Sequence, residues 1–206
     1  MNVKEILKYA YGETNTSQSQ VSEQKAIEKL NKIYKKLWRA IVNTQEDYFW
    51  NYWTTDIQKG ATEYEIQRKE AQVGSKLIPW IAKIREVQIK SGEKYESFEA
   101  WSLADNHIIL DFIPQKDEED WLRIVGIQAI NDLKLTDEEE MIFPWHEDLQ
   151  EFTTVLAKGL EYELWKGKHD FEKANFAMQE HQAELQDMIR FITQRVQKIY
   201  FTKLEY

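Results

Sequence analysis

The middle of this chain has the pattern of β-strands, whereas the segments on either side have the pattern of helices. Residues 107–114 form an apolar run that ends at Pro114, and residues 121–127 form a second apolar run. The short polar segment between them carries four acidic residues, Asp117 to Asp120. Two apolar runs joined in this way are typical of a β-hairpin with a solvated tip. The sequence therefore predicts antiparallel sheet within residues 84–130.

Other parts of the middle segment predict further hairpins. Residues 54–57 and 61–66 flank Gln58-Lys-Gly60, and residues 84–90 and 94–101 flank Ser91-Gly-Glu93. Short polar turns that contain glycine are typical of tight strand connections. A turn at Ala104-Asp-Asn106 leads into the hairpin described above. Together these segments predict a small antiparallel meander.

Apolar residues recur at helical spacing in both flanks, which predicts amphipathic helices. Gly167 is predicted to lie just beyond the end of one of these helices, at the C′ position. The last helix, residues 170–201, has a near-heptad seam and would span about 45 Å. We expect part of it to project or to pack on another subunit. The predicted faces are Ile27, Leu30, Tyr34, Leu37 and Ile41; then Leu149, Phe152, Leu156, Leu160 and Leu164; and the last seam runs from Phe171 to Ile199.

These patterns predict a mainly α fold class: a helical bundle with a small inserted antiparallel β subdomain and a long C-terminal helix. The bundle would comprise residues 1–44 and 131–206, and the β-rich insertion residues 45–130. A chain of 206 residues has room for one domain with an inserted subdomain, so we expect a single domain overall.

The composition argues against several classes of function. The net charge of −9 argues against a protein that binds nucleic acid by neutralising phosphates. The cations Lys32, Lys35, Lys36 and Arg39 are interpreted as part of an ordinary charged helix face rather than a patch. Because cysteine is absent, disulfides, thiolate metal sites and cysteine nucleophiles are excluded. No apolar run is long enough for a membrane span, and the amphipathic segment 1–8 has no apolar signal-peptide core, so we expect synthesis in a cytosol.

Motifs that carry chemistry are missing from the sequence. No two histidines are spaced for a helical metal site, and His181 is interpreted as a packed, hydrogen-bonded residue of the last helix. The acidic runs 117–120 and 137–140 are interpreted as a solvated turn and a helix start, with a weak cation site at the first run left open. Phosphate-binding, dinucleotide-binding and nucleophile-elbow motifs are absent. The sequence predicts no enzyme activity, no cofactor and no metal.

The aromatic cluster Tyr48–Trp53 has two interpretations. It forms local core where helix meets sheet, which we favour, or it forms an interface patch that docks a neighbour. In the second case Trp50 and Trp53 are the candidate contacts.

The order of the segments resembles the head-to-tail adaptor (connector) proteins of tailed bacteriophages, in particular the portal-proximal ring of short-tailed phages. The segment 54–66 resembles the threonine, glycine and Tyr-x-Leu/Ile element of that family, and Ile84–Ile89 resembles its x-I-x-x-V-x-I strand. Gln67 stands where the family usually has proline. Further resemblances are the strand 108–114 that ends in proline, the acidic stretch 132–137 before Phe143-Pro144, and the closing helix pair 151–164 and 171–188.

The resemblance implies a structural virion protein of the phage neck or tail, made in the host cytoplasm. It implies a homo-oligomeric ring, a dodecamer, under the portal protein and above the next tail or nozzle protein. DNA would pass through the lumen during ejection without specific binding, and no membrane would be involved. The segment 191–206 would reach the portal. Its candidate contacts are Phe191, Tyr200, Phe201, Leu204 and Tyr206.

Two alternatives remain open from the sequence. One is another non-catalytic tail-completion or ring protein of the virion. The other is a virion-associated cell-wall hydrolase, for which Asp111, Glu118 and Glu119 are the candidate carboxylates.

Overall fold

The computed structural model describes residues 1–44, 48–66, 81–135, 142–143 and 147–203, with side chains to residue 195 in the last helix. The chain divides into two compact units. A helical unit comprises Met1–Tyr48 and Ile130–Tyr206, and a β unit comprises Phe49–Ala129.

The fold is a mixture of α and β structure, with 47% helix and 26% strand. The predicted mainly α class with a small β subdomain is therefore wrong. The strands are longer than their apolar runs because polar residues occupy their ends and solvent faces. Both β3 (Ile81–Ser91) and β7 (Glu118–Gln128) have 11 residues, and β7 begins within the acidic segment that was interpreted as a solvated turn.

Within the described part of the helical unit, three α-helices and one 3₁₀-helix pack around a fourth α-helix, α3. Helix α3 contacts α1, α2 and α4, and its residues Val155, Leu156, Ala157 and Leu160 are fully buried. The Asn2 side chain and Glu5 form a reciprocal capping box that starts α1. The bounds are α1 Val3–Glu13, α2 Glu23–Thr44, the 3₁₀-helix Glu147–Thr153, α3 Thr154–Gly167 and α4 Phe171–Lys203.

The predicted helix faces have mixed outcomes. The face of α2 is confirmed, since all five of its predicted residues are buried. On the seam of α4, Ala174, Met188 and Ile192 are buried, whereas Phe171 is exposed. The predicted C′ position of Gly167 is wrong. Gly167 is the last helical residue, and the left-handed residue beyond the helix is His169, with φ 61°.

The β unit contains two antiparallel sheets among its described residues. The first sheet has the strand order β1-β7-β3-β4, and the second has the order β2-β6-β5. The remaining bounds are β1 Asn51–Ile57, β2 Glu63–Glu65, β4 Lys94–Ser97, β5 Trp101–Ala104 and β6 His107–Leu110.

The structure confirms one predicted hairpin and corrects two. Strands β3 and β4 pair around Gly92, whose φ is 64°. The runs 107–114 and 121–127 do not pair with each other, because β6 pairs with β2 and β5 while β7 pairs with β1 and β3. The segment between them carries the chain from one sheet to the other. Strands β1 and β2 likewise lie in different sheets, so the predicted meander is wrong.

Both sheets contribute to one hydrophobic core. The first sheet supplies Trp53, Val87, Leu122 and Ile124, and the second sheet supplies Ile108 and Leu110. An aromatic cluster packs against this core, with Phe112 at 5.7 Å ring-centroid distance from both Phe98 and Trp121. This core fixes which side chains of the first sheet face outward.

Candidate functional site

The structure separates the two tryptophans that were predicted as contacts. Trp53 is fully buried, at 0% exposure, and belongs to the core of the β unit. Trp50 is partly exposed, and two cations lie over its ring, Lys83 at 5.9 Å and Arg85 at 5.4 Å from the centroid. Of these two tryptophans, Trp50 is therefore the one whose side chain is available to a partner.

The predicted C-terminal contacts lie mostly beyond the described side chains. Phe191 is partly buried in the helical unit, where its ring lies 5.2 Å from that of Phe152 and 4.9 Å from the Arg195 guanidinium. Tyr200 and Phe201 belong to the backbone of α4, but their side chains are outside the described part. Leu204 and Tyr206 are outside the described residues altogether.

Helix α4 presents two large apolar side chains to solvent. Phe171 and Phe176 are each 61% exposed, whereas the neighbouring Ala174 and Ala177 are buried. The next exposed positions after Phe176 are uncharged, namely Gln179, Gln182, Ala183 and Gln186, and charged positions follow from Asp187. We call Phe171, Phe176 and these four residues the α4 surface.

The outer face of the first sheet carries a second aromatic surface. The Arg123 guanidinium lies 4.6 Å from the Tyr52 ring centroid and 3.4 Å from that of Tyr95. The Tyr95 hydroxyl donates to the carbonyl of Asp120, at 2.5 Å, and so holds its ring over the sheet. Tyr52 remains 45% exposed. We call Trp50, Tyr52, Tyr95 and Arg123 the sheet surface.

A polar network joins α1, α3 and α4. The ammonium of Lys158 lies 3.1 Å from a Glu161 oxygen, 2.8 Å from a Glu180 oxygen and 5.2 Å from the Tyr9 ring centroid. Burial alone would lower the pKa of Lys158, but its hydrogen bonds to Glu180, Tyr9 and Glu161 outweigh that effect and raise it. These contacts hold the three helices together rather than leave a group free for a ligand.

His181 is packed and hydrogen-bonded, as its position on the helix seam predicts. Its Nδ1 lies 2.8 Å from the carbonyl oxygen of Val155, and its ring lies against Gly159. These contacts join α4 to α3 and give the imidazole a structural role.

Three of the four acidic residues 117–120 have partners in the described structure. Asp117 accepts a hydrogen bond from the Lys59 backbone at 2.6 Å, and Asp120 accepts one from the Thr54 hydroxyl at 3.1 Å. Glu118 pairs with Lys116 at 3.1 Å. In the described residues no group of three histidine or carboxylate side chains is placed to hold a metal ion. The cation site left open at this turn therefore gains no support.

The structure does not assemble the carboxylates considered for a hydrolase. Glu118 and Glu119 are neighbours on β7, so they point to opposite sides of the sheet. Asp111 is exposed in the segment after β6.

An open groove of about 630 Å³ lies in the helical unit. Lys4, Lys8, Tyr11, Gln18 and Glu23 are among the residues that line it. The Tyr11 hydroxyl donates to the Val21 carbonyl at 3.0 Å, and burial, followed by the nearby Glu23 charge, raises the pKa of Tyr11. The Tyr11 hydroxyl thus serves the local fold.

The exposed side of α2 carries a row of cations. Lys25, Lys29, Lys32, Lys36 and Arg39 follow one another at spacings of +4, +3, +4 and +3, which places them on one helix face. All except Lys29 are exposed. We call these five residues the basic stripe. The exposure of Lys32, Lys36 and Arg39 agrees with their interpretation as part of a solvent-facing charged helix face, and helical spacing extends that face to Lys25 and Lys29.

Comparison with known proteins gives no identification: no protein-family model matches the sequence, and neither does any curated protein. Of the described helices, none combines the length and the apolar character that a membrane span requires.

Proposed function

We propose that this chain is a non-catalytic ring subunit of the tailed-phage neck, a head-to-tail adaptor. The observation that carries the proposal is the exposure of Phe171 and Phe176 on α4. The order of segments along the chain resembles that of the adaptor family, and for this reason we propose an adaptor ring in particular.

The α4 surface has the physical character of an assembly surface. With 33 residues, α4 is about 50 Å long, whereas α3, its main partner, has 14 residues and is about 21 Å long. Burying a phenylalanine side chain completely contributes about 1.5–3 kcal/mol relative to leaving it exposed. The neighbouring uncharged side chains lower the desolvation cost of covering this surface.

A cyclic ring needs two different surfaces on each subunit, because its contacts are head-to-tail. The sheet surface is the second one in our proposal. Trp, Tyr and Arg dominate the energetics of protein interfaces, and Trp50, Tyr52 and Arg123 supply all three types. The exposed part of Tyr52 is available for such a contact.

In this proposal the subunit forms a dodecamer, binds the portal protein on one side and binds the next tail or nozzle protein on the other. DNA passes through the lumen. Cross-linking in intact particles separates this position from that of another tail-completion or ring protein. An adaptor cross-links to the portal, whereas a protein further down the neck cross-links only to tail components.

Ring formation is tested with the purified chain, alone and mixed with the portal protein encoded in the same genome. Mass photometry and electron microscopy give the stoichiometry. We expect rings with the wild-type chain and a loss of rings with the double variant Phe171→Ser and Phe176→Ser. The matched control is Leu103→Ser with Ile113→Ser, which removes two similarly exposed apolar side chains from the β unit. A wild-type chain that stays monomeric beside its portal refutes the proposal.

A further inference from the structure

Positive charge is concentrated on α2 far beyond what the whole chain suggests. Between Lys25 and Arg39 there are six cations and one acid, Glu28, in a chain whose net charge is −9. The helix buries its opposite face, so the charges point away from the core of the helical unit.

Most of the basic stripe has no partner in the described structure. Lys29 lies 3.4 Å from Glu163, and Lys35, beside the stripe, lies 2.5 Å from Asp132. Lys25, Lys32, Lys36 and Arg39 have no carboxylate within ion-pair distance among the described residues. Like charges three or four residues apart repel each other and weaken a helix. The stripe therefore costs stability, which a described ion pair offsets only at Lys29.

We propose that the basic stripe binds the phosphate backbone of duplex DNA without reading its sequence. Lysine and arginine contact phosphates and release their counterions, which favours binding. From Lys25 to Arg39 the stripe runs about 21 Å along the helix, the rise of roughly six base pairs. The four unpaired cations are thus placed to meet phosphates along one edge of a duplex.

The composition of this face favours a duplex backbone over other partners. The aromatic and leucine side chains of this part of α2, namely Leu30, Tyr34, Leu37 and Trp38, are buried on the other side. Protein interfaces need an apolar core and are depleted in lysine. Single-stranded nucleic acid is held mainly by base stacking on aromatic side chains, which this face does not offer. A membrane surface would need an apolar helix face free to insert, but the apolar face of α2 is covered.

The net charge of −9 does not oppose this local contact. The Debye length is about 8 Å at physiological salt, so distant acids are largely screened. Net charge is a sum over the whole chain, whereas the electrostatic potential at a phosphate beside the stripe is set mainly by the nearest side chains. This inference does not depend on ring assembly and holds for the isolated chain.

The test is fluorescence anisotropy of the full chain with a labelled, mixed-sequence DNA duplex at several salt concentrations. Four phosphate contacts predict a slope of about −3.6 for log affinity against log salt, or roughly a 100-fold loss between about 50 and 200 mM salt. The variant replaces Lys25, Lys32, Lys36 and Arg39 by Gln. We expect its affinity to fall at least about tenfold and its salt slope to approach zero.

A matched control replaces four exposed lysines elsewhere, Lys8, Lys59, Lys90 and Lys94, by Gln. It makes the net charge more negative by the same four units as the stripe variant. If the stripe is the binding site, this control variant should retain the wild-type affinity and salt slope. Circular dichroism verifies that both variants are folded. Equal losses in the two variants, tighter binding to single strands, binding to phosphatidylserine vesicles instead of DNA, or no binding at about 50 mM salt each overturn the proposal.

Discussion

The imidazole of His181 lies against Gly159, so α4 approaches α3 at a position where α3 has no side chain. A Cβ atom at residue 159 would lie 3.2 Å from two atoms of the imidazole and 2.9 Å from Cγ2 of Ile33. The same imidazole is fixed by the Val155 carbonyl, 2.8 Å from its Nδ1. At Gly159, therefore, Ile33 of α2 and His181 of α4 both approach α3 closely.

Gly159→Ala should destabilise the protein by about 1–2 kcal/mol. In a free helix this change would stabilise by up to about 1 kcal/mol, but overpacking a filled interior costs about 1–3 kcal/mol. The Ile33 methyl that the new Cβ meets is held on a branched carbon and has little freedom to move. Urea unfolding followed by circular dichroism measures the difference.

Gly12→Ala provides the comparison for that experiment. Gly12 lies in α1 and has no atom within 4 Å of an added Cβ, so the change should raise the free energy of unfolding by up to about 1 kcal/mol. If both substitutions stabilise the protein, close packing at Gly159 is not the reason for its glycine.

Local patterns predicted the face of α2 correctly but predicted strand partners poorly. The spacing of Ile27, Leu30 and Tyr34 defines a helix face because the period is set within the segment itself. The apolar run of β7 indicates a strand, yet it contains no information on whether β6 or β1 lies beside it. Pairing depends on how both sheets share one core, which involves residues far apart in sequence.

The candidate surfaces show the same difference between features set within one segment and features that depend on residues far apart in sequence. Alternation along β1 buries Trp53 and exposes Tyr52, but this follows only once residues 51–57 are known to be a strand. The sheet surface was missed because Tyr52, Tyr95 and Arg123 come from three different strands. The basic stripe needed only helical spacing, and its signal was hidden by the net charge of the chain.

Lys158→Met should cost about 2 kcal/mol because it leaves the Glu161 carboxylate without its cation at a side-chain exposure of 8%. Lys173→Met is the control, since Lys173 pairs with Asp170 at a side-chain exposure of 60% and should cost less than about 1 kcal/mol. Chemical denaturation compares the two. Adding Glu161→Gln to Lys158→Met should restore part of the loss, and no recovery would mean that packing, not charge, explains the effect.

Stability should fall at alkaline pH, in part through Tyr48. Burial raises the pKa of Tyr48 above its usual 10.0, and its hydrogen bond to Asp148, at 2.6 Å, raises it further. A raised folded-state pKa gives stability that is complete below the unfolded pKa and is lost as pH rises above it. The loss should therefore begin above about pH 10.

Tyr48→Phe separates this contribution from others. At neutral pH it should cost about 1 kcal/mol for the lost hydrogen bond. Above pH 10 its free energy of unfolding should decline less steeply than that of the wild type, as measured by urea unfolding at each pH. If the free energy of unfolding declines equally steeply for Tyr48→Phe and the wild type, Tyr48 is not a source of the alkaline loss of stability.

Arg123 should be coupled energetically to Tyr95. The guanidinium lies 3.4 Å from the Tyr95 ring centroid, and a partly desolvated cation–π contact contributes about 0.5–2 kcal/mol. Arg123→Lys loses the planar group that stacks on the ring, and Tyr95→Leu loses the ring itself. A double-mutant cycle on the free energy of unfolding should therefore give a coupling of about 1 kcal/mol. The same cycle with Tyr64, in the other sheet, in place of Tyr95 should give none. A coupling near zero for Tyr95 would mean that Arg123 is not held by the stack, and that the sheet surface is not preorganised for a partner.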